Sequence, residues 1–333
     1  MQLCNALRQE AEFVRAWIKE TGINLDDRER DPASLHEALQ QALAGVLNAC
    51  PEGVGHLAEF LDTGIDEETA QYTDRDIREE NVHSCGWCPE ESWREGILFA
   101  VELLRLSEAV VDPVERLELL EIACAMQLLR SLCAQSARYT ERPEEAQSAG
   151  GPWGYVWAVS HPEGKHPVTK QISRRNAEAV QKMIHDAIRH PGIHIHEADP
   201  EKIYKEADSR YGHKLFLTVA KRLGLIIPKR GTGARFVLNE KLLRFLVLAT
   251  IRPGERVTYD RFKKLLFAHY GMAVDDAKIG LSCLWSGTAR LTTLGGDADA
   301  WLTEMLDASG VLIRLSDSCS LVINPFNGGE SGA

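Results

Sequence analysis

Two groups of residues in this 333-residue sequence have the types and spacing that chemistry requires: a cysteine pair and a basic cluster. Cys85 and Cys88 are separated by two residues, and His83 lies two positions before them. Two thiolates at this spacing form half of a tetrahedral zinc site. The sequence contains no second Cys-x-x-Cys motif, and no strand is expected before the pair, as a redox motif would require. A structural zinc site therefore stays one interpretation, and cysteines without a special role are favoured.

The basic cluster lies mostly between residues 213 and 239, with two more arginines at the start of an earlier predicted helix. Lysine and arginine side chains neutralise phosphates and give a salt-dependent affinity that is largely independent of base sequence. Solvated charges on a protein-docking domain are the alternative. The candidate nucleic-acid contacts are Lys214, Lys221, Arg222, Lys229, Arg230, Arg235, Arg174 and Arg175.

The secondary-structure elements that position the basic cluster can be predicted from the apolar residues around it. Leucine and valine recur every fourth residue from Leu215 to Leu223, which predicts an amphipathic helix. The next residue, Gly224, favours the left-handed conformation that ends many helices. Two short apolar runs, 225–227 and 236–238, flank a basic, glycine-containing turn and predict a hairpin.

A helix, a short strand at 194–196, a helix, a basic helix and a hairpin wing, in this order, resemble the winged-helix superfamily. In that superfamily the third helix usually enters the major groove and the wing reaches the DNA backbone or the minor groove. The resemblance therefore implies contact with double-stranded DNA. The same order recurs loosely in 241–326, but the third helix of that unit has four carboxylates and no lysine or arginine. Carboxylates repel phosphates, so this second unit is expected to pack on protein.

Charge is distributed unevenly and supports a division of the chain. Residues 1–150 contain 13 Lys+Arg and 30 Asp+Glu, whereas residues 151–240 contain 15 and 9. Long apolar stripes before residue 140 predict helices, so the fold is predicted to be mainly α, with an acidic helical bundle that holds partner proteins. The predicted parts are an acidic all-helical domain (1–140), a flexible linker (141–152), a basic winged-helix unit (153–240), a second winged-helix unit (241–326) and a disordered tail (327–333).

The remaining sequence features narrow the functional class. No apolar run reaches the ~18 residues that a transmembrane helix needs, and no secretion signal is evident at the N-terminus, so a cytoplasmic protein is expected. The sequence contains no phosphate-binding loop, nucleophile elbow or metalloprotease motif. An enzyme is therefore not expected, and zinc is the only cofactor considered.

These observations lead to one hypothesis with two alternatives. The chain is predicted to be a non-enzymatic, DNA-contacting accessory subunit of a bacterial multiprotein complex. Such a complex would serve DNA processing, genome maintenance or defence against phages and plasmids, a context inferred from architecture alone. The alternatives are a winged-helix transcription regulator and a protein–protein scaffold that does not touch DNA.

Overall fold

The structure of the protein is a computed structural model. Residues whose structure it describes are 2–49, 51–52, 55–56, 59, 90–191, 199–288, 298–316 and 319–325. Three predictions lie outside the described residues: a solvated loop in the acidic segment 62–82, which lacks apolar periodicity, the strand at 194–196 and the tail at 327–333.

The described chain is mainly helical, as predicted, with small sheets. The helices are α1 (Gln2–Leu7), α2 (Ala11–Thr21), α3 (Asp27–Arg30), α4 (Pro32–Ala49), α5 (Trp93–Glu108), α6 (Pro113–Arg138), α7 (Glu144–Ala149), α8 (Pro167–Ile188), α9 (Pro200–Arg210), α10 (His213–Leu223), α11 (Glu240–Thr250), α12 (Tyr259–Tyr270), α13 (Asp276–Trp285) and α14 (Ala300–Ala308). Two 3-10 turns lie at Glu90–Ser92 and Gly151–Trp153.

The strands are short and form three separate small sheets. They are β1 (Trp157–Ala158), β2 (Ile226–Ile227), β3 (Arg235–Phe236), β4 (Arg256–Thr258), β5 (Met272–Ala273), β6 (Leu312–Ser316) and β7 (Cys319–Ile323). β1 and β5 pair in parallel, β2 and β3 form an antiparallel hairpin, and β4, β7 and β6 form an antiparallel sheet in that order.

The buried apolar side chains form one continuous core that runs from α1 to β7. Trp157 lies near its centre: the residue is fully buried, its strand pairs with β5, and its ring stacks on Phe236 at 5.7 Å. The aromatic run at 153–159 predicts a short strand or an aromatic plug against the neighbouring domain. The structure has a short strand here, β1, and both of its side chains are buried in the core.

The N-terminal region differs from its prediction in two places. The apolar residues of 1–22 predict one helix, but the segment forms α1 and α2 with a break between them. The charged run 25–32 predicts a connector, but it contains α3, whose first turn is closed by a capping box. Asp26 accepts from the backbone of Glu29, and the Glu29 carboxylate accepts from the backbone of Asp26. Charged residues therefore form a helix here because their side chains satisfy its free N–H groups.

The predicted linker 141–152 is largely structured and packs on the rest of the chain. It contains α7 and most of a 3-10 turn, and α7 packs against α13. The Arg142 guanidinium lies over the Trp285 ring at 4.1 Å, and the Trp285 indole N–H donates to the Gly154 carbonyl at 2.8 Å. These contacts correct the prediction of a flexible segment. The proposed division into separate domains stays a prediction.

The C-terminal region has the element order predicted for it. α11, β4, α12, α14 and the β6–β7 hairpin follow in that sequence, and β4 pairs with β7 to complete a three-stranded sheet. The sequence predicts an inserted segment at 275–290; it contains α13, and β5 lies just before it. Membership of the winged-helix superfamily stays a prediction for both units.

Charged side chains are buried where α5, α6 and α12 meet. Arg130 donates two hydrogen bonds to the Glu102 carboxylate, at 2.8 and 3.0 Å, and both residues are at most 1% exposed. His269, also fully buried, has its Nδ1 atom 2.9 Å from the same carboxylate. Buried charges are tolerated only when paired and hydrogen-bonded, so these three side chains hold the three helices in one arrangement. In the described part of the chain, no helix is long and apolar enough to cross a membrane.

Candidate nucleic-acid interface

One face of α10 anchors the helix in the core. Phe216 and Ala220, one turn apart, are fully buried. The Phe216 ring lies 6.2 Å from Trp157 and 6.3 Å from Phe236 of the hairpin. Aromatic contacts at these distances stabilise a packed arrangement beyond the area they bury. The hairpin and α10 are therefore held against a common aromatic cluster, and the opposite face of α10 is left to solvent.

The solvent face of α10 and the hairpin connection together line a groove of about 750 Å³. Lys214, Thr218, Lys221 and Arg222 come from successive turns of the helix, because residues three and four apart share a helix face. The second wall is formed by residues of the connection between β2 and β3. We call this the basic groove; its lining is Lys214, Leu217, Thr218, Lys221, Arg222, Lys229 and Arg230.

The electrostatics of the basic groove are one-sided. Of the seven lining residues that the structure describes, five are lysine or arginine and none is a carboxylate. None of the five forms an ion pair with any residue that the structure describes. Like charges that share a groove repel one another, and a bound anion removes that repulsion. The arrangement is therefore suited to holding anionic groups.

The hairpin connection is shaped by two glycines. Gly231 and Gly233 have φ angles of 92° and 84°, in the region that other residues rarely adopt. A side chain at either position would meet no neighbouring atom within 4 Å, so it is backbone conformation that requires glycine there. The resulting turn leaves the adjacent residues Lys229 and Arg230 exposed to solvent.

The C-terminal end of α10 is fixed to the start of α11. Asn239 donates from Nδ2 to the Leu223 carbonyl at 2.9 Å and accepts at Oδ1 from the Leu242 backbone at 2.8 Å. One side chain thus caps α11 and ends α10. Gly224 has a φ angle of 75°, and a Cβ atom there would clash with Asn239 Nδ2. This close approach determines where the basic helix stops.

Arg235 is predicted to contact nucleic acid, and the structure places it elsewhere. It is 7% exposed, and its guanidinium donates to Ser160 Oγ and to the carbonyls of His161 and Pro162 at 2.6 to 2.9 Å. Burial lowers the pKa of its guanidinium from the usual value. Arg235, on β3, therefore fixes residues 160–162, which follow β1. Its strand faces the core, and its N–H donors are used by backbone and hydroxyl oxygens.

Arg174 and Arg175 are exposed on α8 but do not line the basic groove. Arg174 forms an exposed pair with Glu178 at 3.3 Å. Burial raises the pKa of the Cys283 thiol in α13, and the charge of Arg175 acts in the opposite direction. Ser173, expected to cap this helix, is buried inside it and bonds the backbone of Phe236, whereas the His166 side chain provides the cap. The helix begins earlier than predicted, so the two arginines are not at its start.

The proposed metal ligands His83, Cys85 and Cys88 lie outside the described residues. Within the described ranges no group of three or more metal-binding side chains comes together. Two residues of the basic groove, Leu217 and Thr218, are absent from the set predicted from the sequence. Their spacing is a usable signal, since Thr218 lies between Lys214 and Arg222 at intervals of four residues.

In comparisons with known proteins, no family model, no curated protein and no solved structure matches this chain.

Proposed function

We propose that the chain binds double-stranded DNA through the basic groove, mainly by contacts to phosphates. The observation that carries this proposal is the convergence of five cations from a helix and a hairpin on one groove, whose described lining contains no carboxylate. The contribution of each cation to affinity comes from the release of counterions condensed on the duplex. The lysine and arginine side chains of the groove thus bind the DNA backbone, and this binding requires no base preference.

The lining of the groove favours a duplex over a single strand. Proteins that hold single strands stack bases on aromatic side chains within a basic channel. The groove is lined instead by aliphatic, hydroxyl and cationic side chains. The Thr218 hydroxyl donates to the Lys214 carbonyl at 2.8 Å, so it would have to rotate away from that carbonyl to donate to a phosphate oxygen, a contact that is common in protein–DNA interfaces. The major groove of a DNA duplex is wide enough to admit an α-helix, which suits the exposed face of α10.

The wider role is that of an accessory subunit in a bacterial DNA-processing, genome-maintenance or defence assembly. Its support is compositional: the first 150 residues contain 30 Asp+Glu against 13 Lys+Arg, so they are unsuited to DNA and available to protein partners. DNA contact and protein contact would then fall to different parts of the chain.

The test is a binding titration of the full chain with a fluorescent random-sequence duplex across a salt series. The groove variant is Lys229→Glu/Arg230→Glu. The matched control is Lys202→Glu/Lys205→Glu, which makes the same change in charge on exposed positions of α9 that do not line the groove.

We expect the wild type and the control to bind at low salt, with affinity that falls steeply as salt rises. For the groove variant the slope of log K against log salt should fall by about 0.9 for each phosphate that the protein no longer neutralises. Equal reductions in the two variants would mean that only net charge matters, and the groove proposal would fail. Absence of binding by the wild type at low salt would favour the scaffold, whereas a strong preference for one duplex sequence would favour a transcription regulator.

A further inference from the structure

A second basic cleft, of about 670 Å³, lies between α2, α3 and α12, on elements that do not contribute to the basic groove. Four cations line it: Arg15, Lys19, Arg30 and Arg261. Asp27 is the one carboxylate among its described lining residues. We call it the N-terminal cleft. Its excess of positive charge stands out because the first 150 residues as a whole contain 13 Lys+Arg and 30 Asp+Glu.

Three elements deliver these cations to one place. Arg15 and Lys19 are four residues apart on α2 and therefore share one face of that helix. Arg30 is the last residue of α3, which follows α2 after a short turn. Arg261, from α12, donates from Nη2 to the Gly22 carbonyl at the end of α2, at 2.5 Å. This hydrogen bond fixes the position of the guanidinium and leaves its other N–H groups for a ligand.

The cations of the cleft are poorly neutralised by the protein. Arg15, Lys19 and Arg261 form no ion pair with the residues of the described ranges, and Arg30 lies 3.5 Å from the fully exposed Asp27. An exposed pair at that distance contributes little. The pKa of the Asp31 carboxyl is lowered mainly by hydrogen bonds from Ser34 and also by the charge of Arg15; Asp31 does not line the cleft. Four cations and one carboxylate leave the cleft with a net positive charge that a bound anion would balance.

The shape and the donors of the cleft indicate the kind of anion. Its volume lies within the ~300–1,000 Å³ of small-ligand sites. Guanidinium groups bind phosphate oxygens through two parallel N–H donors, and three of the four cations are arginines. Ile18 and Ile23, both nearly buried, add an apolar wall. We propose that the N-terminal cleft binds a chain of adjacent phosphate groups, as carried by a nucleoside triphosphate.

This ligand would contact residues from both ends of the sequence. Arg15, Lys19 and Arg30 belong to the N-terminal helices, whereas Arg261 belongs to the predicted second winged unit. A ligand that binds only the folded arrangement stabilises it by mass action. The site is therefore expected to strengthen the packing of α2 and α3 on α12, which gives a readout that is separate from binding itself.

The experiment is calorimetric titration of the full chain with inorganic tripolyphosphate and with ATP, at low salt and without divalent cations. The cleft variant is Arg15→Glu/Lys19→Glu, since both side chains are exposed at the surface of α2 and the core does not depend on them. The controls are Lys202→Glu/Lys205→Glu and the groove variant Lys229→Glu/Arg230→Glu. Thermal unfolding with and without tripolyphosphate is measured on all four proteins.

We expect wild type and both controls to bind tripolyphosphate and to unfold at a higher temperature in its presence. The cleft variant should bind about 100-fold more weakly, at about tenfold for each charged group removed, and show no such rise. Equal affinity for ATP would mean that phosphates alone are recognised, and tighter binding of ATP that the nucleoside also contacts the cleft. Either result supports the proposal.

Three results would overturn it. Wild type that binds neither anion has no such site. Binding abolished in the groove variant and kept in the cleft variant would place the anion in the basic groove. Binding of a random duplex that depends on Arg15 and Lys19, without binding of tripolyphosphate, would make the cleft a continuation of the nucleic-acid surface. Since the groove variant is measured in parallel, failure of this proposal is distinguishable from failure of the DNA proposal.

Discussion

Arg105 donates two hydrogen bonds to the Glu29 carboxylate, at 2.7 and 2.9 Å, with both side chains almost completely buried. The same guanidinium donates to the Thr250 carbonyl at 2.8 Å and to the Asn24 carbonyl at 2.9 Å. A buried ion pair is tolerated only when its remaining donors and acceptors are satisfied. These bonds therefore fix α3 and the end of α11 against α5.

Removing the cation from this pair should be strongly destabilising. We expect Arg105→Met to lower the free energy of unfolding by about 3–5 kcal/mol, because the buried Glu29 carboxylate loses both hydrogen bonds from Arg105 and keeps, among the described cations, only the more distant Arg252, at 3.9 Å. Methionine retains much of the length and apolar surface of the arginine stem, so reduced packing contributes less than the missing charge. Urea denaturation of the purified variant measures the change.

An exposed arginine on α3 provides the matched control. Arg28 pairs with Glu108 at 2.9 Å, but the two side chains are 46% and 34% exposed. Exposed pairs contribute at most about 1 kcal/mol, so Arg28→Ala should change the free energy of unfolding by no more than that. A similar loss of stability in both variants would show that burial of the Arg105 pair is not what matters.

Regular apolar periodicity allows much of the helical fold to be predicted. The sequence predicts a helix over 259–270, and α12 begins and ends at these residues. Its apolar stripe is flanked by Thr258, which caps it, and by a glycine. α3 is not expected, because a run of charged residues is usually a solvated loop. Its stability depends on Arg105, 76 positions away, and no local pattern reveals such a partner.

The candidate site is predictable to a similar extent. The cations of α10 follow from helical spacing, and those beside the turn follow from the glycines. Residue type alone does not distinguish Arg235 from Arg230. The register of the short strand β3 decides which side chains point into the core. The N-terminal cleft escapes prediction because Arg261 is far in sequence from the other cations that line it.

Substitution of Arg235 should therefore affect stability rather than DNA binding. We expect Arg235→Gln to lower the free energy of unfolding by about 1–3 kcal/mol, because the oxygens of Ser160, His161 and Pro162 lose their buried donor. The slope of log K against log salt for duplex binding should stay that of the wild type. Chemical denaturation and the salt series measure the two effects. A reduced slope with unchanged stability would return Arg235 to the interface.

Alanine substitutions at Gly224 and Gly231 distinguish the effect of backbone strain from that of a steric clash. Both have positive φ angles, but an added Cβ would clash with Asn239 Nδ2 at the first and lie near no atom at the second. We expect Gly231→Ala to cost about 1 kcal/mol of stability, through backbone conformation alone. Gly224→Ala should cost clearly more, because the Asn239 cap must also move. Equal costs, measured by thermal unfolding, would mean that the Asn239 side chain adjusts freely.

His269 should make stability depend on pH near neutrality. Burial lowers the pKa of this fully buried imidazole from its usual value of 6.5, although the hydrogen bond to Glu102 acts in the opposite direction. In the unfolded chain the imidazole recovers its usual pKa. Below pH 6.5 His269 is therefore protonated in the unfolded state. In the folded state it becomes protonated only at a lower pH, because its pKa there is lower. Stability contributed by neutral His269 is present above pH 6.5 and is lost as the pH falls through this range.

The measurement is the free energy of unfolding in urea at several values between about pH 5 and pH 8, for the wild type and for His269→Gln. A single proton bound on unfolding gives a slope of at most about 1.4 kcal/mol per pH unit, and the variant should lose up to that much of the slope. Glutamine can still donate to Glu102, so a uniform loss of stability at every pH would be a packing effect. Slopes that coincide in the two proteins would contradict the assignment, because Glu102, whose pKa is lowered from 4.5, contributes only in more acidic solution.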